Sequence, residues 1–158
     1  MIQEYNKLIN SKEFKNWRSR HKDSYLSSCF IMQDQNSKGS WNFDYYLPRI
    51  NKLTTFILED EIKINQNQKI FEPSHKRLKE INPDDVKFTL DKLNNLIKNE
   101  FKDAKFIKII IILQARENLM WNVSLLGLNF NLINVKVDAI TGKILDKNVT
   151  SMLQFKAS

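Results

Sequence analysis

The chain has 158 residues, 42% of them hydrophobic, which is enough for one compact domain or two very small ones with a real core. Basic residues number 25 against 18 acidic ones, and the excess is densest early: 14 against 9 in residues 1–79, but 11 against 9 in 80–158. With three glycines, one cysteine and no GxGxxG, GxxxxGK[ST] or GxSxG, the composition argues against a phosphate-cradling loop, a nucleophile elbow and an internal disulfide.

Taken in chain order, residues 1–22 place Ile2, Tyr5, Leu8, Ile9, Phe14 and Trp17 at helical spacing among charged residues. One or two helices are expected, with a break or recap at Asn10-Ser11. The start MIQEYNKLINSKEFKNW shows no apolar stretch behind a basic one, so a cytoplasmic location is expected. From Tyr25 the pattern turns extended: YLSSCFIMQ, the turn signal DQNSKGS, WNFDYYL, a Pro48 turn and KLTTFIL predict three strands. Residues 61–82 are polar and read as a connector, with a short helix around PSHKRLKEI.

Asn82-Pro83-Asp84-Asp85 has the marks of a helix start, a cap followed by Pro and acids in the first turn. Val86, Leu90, Leu93, Leu96, Ile97 and Phe101 then recur at three and four, predicting an amphipathic helix over 84–101. FIKIIIILQ, MWNVSLLG, LINVKVDA and a short KIL supply a second set of strands. The run Phe106–Leu113 is eight residues, well short of the roughly 20 a membrane helix needs, so no membrane partner is expected. Its apolar residues fall on both alternating faces, which predicts a strand covered on both sides.

The two halves share an order of helix and three strands. Pairing Gln33 with Gln114 sets an offset of 81, and Trp41-Asn42 meets Trp121-Asn122 at 80. This predicts a tandem duplication, with a first αβββ repeat in 1–60, the connector at 61–82 and a second repeat in 83–158. One such repeat buries too little apolar surface to stand alone, so the second face is expected to take the sister repeat or a second subunit.

Residues 84–146 resemble the PepSY domain family. The match rests on Trp121 opening the second strand and on Val135, Val137, Asp138, Ala139, Thr141, Gly142 and Lys143 in the closing hairpin. The resemblance implies an α+β fold of two tandem helix-plus-antiparallel-sheet repeats packed into one unit, with a weaker echo in 1–60. It also implies a role near peptidases, as propeptide or inhibitor. The hairpin has its own logic: Asp and Thr side chains accept turn amides, and Gly142 supplies a positive φ.

No catalytic residue, cofactor or metal is expected. His21 and His75 lack neighbours at ligand spacing and read as surface residues, and Cys29 reads as a small core residue. Glu59-Asp60-Glu61 and Asp84-Asp85 are explained by a strand end and a helix start. The chain is therefore expected to be a non-enzymatic protein-binding or regulatory module, with homodimerisation through the same surfaces as one form of it. The alternative is nucleic-acid binding by the basic N-terminal segment, through Lys12, Lys15, Arg18, Arg20 and Lys22 beside Lys7 and His21. On the strand that opens at Trp41, Trp41, Phe43 and Tyr45 share one side, which leaves Tyr46 as the aromatic free for such a ligand.

Overall fold

A computed structural model describes residues 1–70 and 77–152 of the chain. Two short helices open it, α1 (Ile2–Asn10) and α2 (Lys12–Arg20), followed by strands β1 (Tyr25–Asp34), β2 (Trp41–Leu47), β3 (Lys52–Leu58) and β4 (Ile62–Gln68). A 3₁₀ turn (Pro83–Asp85) and α3 (Leu90–Glu100) lead into β5 (Phe106–Ala115), β6 (Leu119–Gly127), β7 (Asn131–Asp138) and β8 (Ile144–Ser151). The protein is α+β, and among the described residues eight strands form one antiparallel sheet in the order β4-β3-β2-β1-β5-β6-β7-β8.

The expected recap at Asn10-Ser11 is present. The Ser11 hydroxyl accepts the Phe14 amide at 3.1 Å and donates to the Leu8 carbonyl at 2.7 Å, ending α1 and starting α2 with one side chain. The helix expected over 84–101 starts later. Asn82 does cap the amide of Asp84, but the turn stops because Lys87 and Phe88 donate their amides to the carbonyl of Ala139. Thr89 caps α3 instead. Two strands were under-read: the polar stretch 61–82 contributes β4, and the short KIL grows into β8. Of the short helix expected at PSHKRLKEI, residues 73–76 lie outside the described residues; residues 77–81 are not helical.

The helices α1, α2 and α3 lie over one face of the sheet. Side chains alternate along each strand, so Cys29, Ile31, Trp41, Phe43, Tyr45, Phe56 and Leu58 in one half join Ile111, Leu113, Trp121, Val123, Leu125, Val135 and Val137 in the other on that face. Against them pack Leu8, Phe14 and Trp17 from α1 and α2 and Leu93 and Ile97 from α3. Aromatic edges interlock there: Phe14 meets Tyr45 and Phe56 at 5.1 and 5.2 Å between ring centroids, and Trp17 meets Phe56 at 5.0 Å. Pairs of this geometry contribute roughly 0.5–1.5 kcal/mol each beyond burial.

The two halves do not cover each other. They join edge to edge, β1 against β5, with Ile31 opposite Ile111 at the seam. Ile111 and Leu113 are buried, while Ile110 and Ile112 on the opposite face are only half-buried, so the sister repeat does not cover that face. The faces also exclude the offset of 81. That offset sets Phe30, on the open face, against Ile111, on the helix side, and an odd slip exchanges the two faces. An even offset of 82 sets Cys29 on Ile111 and Ile31 on Leu113, all four buried.

Candidate functional site

The face of the sheet turned away from the helices carries the surface best suited to binding. At its centre, across the β1/β5 seam, Phe30 is opposite Ile112 and Met32 is opposite Ile110. All four side chains point to the open side; Phe30, Ile110 and Ile112 are half-buried and Met32 is 44% exposed. Leu126 and Leu132 extend the apolar surface across β6 and β7, paired with each other. Asn42, Asn122, Ser124 and Asn134 break it into patches. Half-exposed aliphatic side chains in contiguous cross-strand pairs are the usual material of a protein contact.

Beside the central quartet the face sinks into an open depression of about 580 Å³, walled by Phe30, Leu53 and Ile57, with Asn65 and Gln68 of β4 on one side. Asp44 sits in its lining, only 8% exposed. The Ser28 hydroxyl donates to one carboxylate oxygen at 2.7 Å and the Thr55 hydroxyl to the other at 2.5 Å. Burial pushes the carboxyl above its ordinary value, and the two hydroxyl hydrogen bonds offset that only in part. Among the described residues Asp44 has no ion-pair partner. No local spacing in the sequence announces this site, because its three polar residues come from β1, β2 and β3.

The basic residues of α2 lie on the helix side, away from this face. Lys12, Lys15, Arg20 and Lys22 are exposed, and Arg18 is half-buried, donating to the His21 carbonyl at 2.5 Å and to the Ser24 hydroxyl at 3.0 Å. Lys15, Arg18 and Lys22 share a shallow depression of about 490 Å³ with Ile9, Phe14 and Ser19; Lys12 and Arg20 lie outside it. Tyr46 is corrected as a free aromatic: it is 1% exposed, its ring packs on Tyr25 at 5.4 Å, and its hydroxyl donates to Asn51. The strand alternation correctly set it opposite Trp41, Phe43 and Tyr45, but the β2–β3 turn and Tyr25 fold over it.

Cys29 is buried and its thiol is pushed well above its ordinary value by desolvation, which keeps it protonated and unreactive. His21 stacks on Trp17 at 4.5 Å and contacts the Trp17 carbonyl through Nδ1 at 2.8 Å; His75 lies outside the described residues. Glu59, Asp60 and Glu61 form the exposed β3–β4 turn, where Glu59 pairs with Lys63. No group of three or more His, Cys, Asp or Glu residues able to hold a metal occurs among the described residues. Among those residues no helix is long and apolar enough to cross a membrane.

No family model matches the chain, and no curated protein is similar to it. Among solved structures, it is similar to a putative lipoprotein from Clostridium difficile 630, with a TM-score of 0.53 and 12% identity over 87% of this chain and 90% of that one. At that identity the likeness is one of fold.

Proposed function

We propose that this protein is a non-enzymatic binding module made of two tandem PepSY-like repeats, which holds a partner protein on the open face of its sheet. The observation that carries the reading is the quartet Phe30, Met32, Ile110 and Ile112. These four apolar side chains are contiguous across the seam and lie on the face that none of α1, α2 and α3 covers. Support for the repeats comes from the mirrored strand order about β1/β5 and from the two tryptophans. Trp41 and Trp121 are both buried on the helix side, each opening its half's second strand region. The resemblance of residues 84–146 to PepSY domains makes a peptidase the first partner class to try, and a second copy of this chain the next.

The test changes the face without touching the core. Met32→Glu with Ile110→Lys should abolish partner capture while leaving the melting temperature within about 4 °C, because surface substitutions usually change stability by no more than about 0.5 kcal/mol each. Capture that survives the double substitution overturns the reading. Light scattering on the wild type separates self-association from a second protein. Cytoplasmic residence belongs to the same proposal and rests on the lone, buried Cys29. Recovery of the protein with membranes in cell fractionation would overturn that part.

The depression shared by Lys15, Arg18 and Lys22 supports a second reading, nucleic-acid binding by α2. It predicts an affinity that falls steeply with salt, and a shallower salt slope after Lys15→Gln and Lys22→Gln. An unchanged slope removes it.

A further inference from the structure

We infer that the depression at Asp44 is a receptor for a primary ammonium group on an unbranched apolar stem, presented as a lysine side chain by the partner seated on the open face. The inference rests on the binding reading above and names the chemistry of one contact within it.

Asp44 is 8% exposed, yet no cation pairs with it among the described residues. A buried carboxylate without a countercharge is costly, and it is tolerated here through two hydroxyl donors, Ser28 and Thr55, one on each oxygen. A carboxylate accepts about four hydrogen bonds, so roughly two positions remain for a further donor. The hydroxyls thus orient the group without neutralising it, and an incoming cation can supply the countercharge.

The walls decide what carries that charge. Phe30, Leu53 and Ile57 offer apolar surface, and about 580 Å³ of open space lies within the usual range of ligand sites. Methylene stems lie along such surface while the charged head reaches a polar group, as lysine side chains do. Two lysines on this side of the sheet are accounted for: Lys63, opposite Ile57, pairs with Glu59, and Lys69 lines the depression without pairing to Asp44. Lys69 therefore opposes an incoming cation, and its removal should help one bind.

The test titrates n-butylammonium, a lysine side-chain mimic, into the full chain and follows the methyl signals of Leu53 and Ile57 by NMR. Saturable shifts are expected, at least about tenfold weaker with 1-butanol or in Asp44→Asn, since a hydrogen bond between charged groups is roughly twice as strong as a neutral one. Lys69→Met should tighten binding. Equal binding of 1-butanol, or of n-butylammonium to a folded Asp44→Asn, overturns the inference.

A second measurement needs no variant: the carboxyl carbon of Asp44 should titrate at lower pH when n-butylammonium is present, and an unmoved midpoint also overturns it. N-acetyl-lysine methylamide separates the sources. If it binds like n-butylammonium, the polypeptide source stands; if only the free amine binds, the partner lysine is excluded. Loss of ammonium binding with capture through the quartet intact removes this inference alone. Loss of capture with ammonium binding intact removes the partner reading and leaves the ammonium site.

Discussion

At Gly142 the backbone turns through φ +77°, and a Cβ built there would run into the ring of Phe88. Gly142→Ala should therefore cost about 1–3 kcal/mol, read as a lower urea midpoint at unchanged slope. Four residues earlier Asp138 accepts the amides of Ile140 and Thr141 on one oxygen, both at 2.8 Å, and these bonds hold its carboxyl below the usual carboxylate range. A depressed carboxylate contributes stability that is complete above the unfolded value, about 3.9, and is lost as pH falls through the folded one. Asp44 has the opposite sign. Burial raises its value, so its contribution is complete below about pH 3.9 and is lost as pH rises through the raised folded value. Urea unfolding across a pH series should show stability declining above about pH 4 in the wild type, and Asp44→Asn should flatten that decline. The hairpin was legible because Asp, Thr and Gly act within one turn. The Asp44 site was not, because Ser28 and Thr55 reach it from neighbouring strands.

Among the elements, the α1–α2 junction depends on one hydroxyl. Ser11→Ala should cost about 1 kcal/mol and Ser11→Gly only a few tenths, measured by thermal or urea unfolding, because glycine still adopts the cap conformation. The late start of α3 has a different cause. The sequence 82–85 carries good cap chemistry, but the amides of Lys87 and Phe88 are taken by Ala139 and the indole of Trp121 donates to the Phe88 carbonyl at 2.8 Å. A tertiary partner thus removes residues 84–89 from a helix their own pattern favours. Strand β4 was missed for a related reason. In IKINQNQ only Ile62 and Ile64 pack against the core, and the polar remainder is held by pairing to β3 at the edge of the sheet.

In the whole molecule, the seam between β1 and β5 makes the two halves one body. Cys29 is opposite Leu113 and Ile31 is opposite Ile111, all buried in a core that continues from one half to the other. Ile111→Ala should cost about 2–5 kcal/mol and lower the stability of both halves together. Tryptophan fluorescence and far-ultraviolet circular dichroism should then trace one coincident transition. Two separated transitions would show that the halves unfold independently.

The sequence by itself determined the α+β class, the three helices and every strand but β4, the double helix start at Ser11, and which residues of β2 face the core. These follow from local spacing and capping, which act over a few neighbouring residues. Only the tertiary structure decided that the halves meet edge to edge, that Tyr46 is buried, and that one face of the sheet stays open with Asp44 set into it. Those facts depend on which strand edges hydrogen-bond and which face the helices choose. A pattern with apolar residues on both faces of β5 fits covered and open arrangements equally well until pairing with β1 selects one.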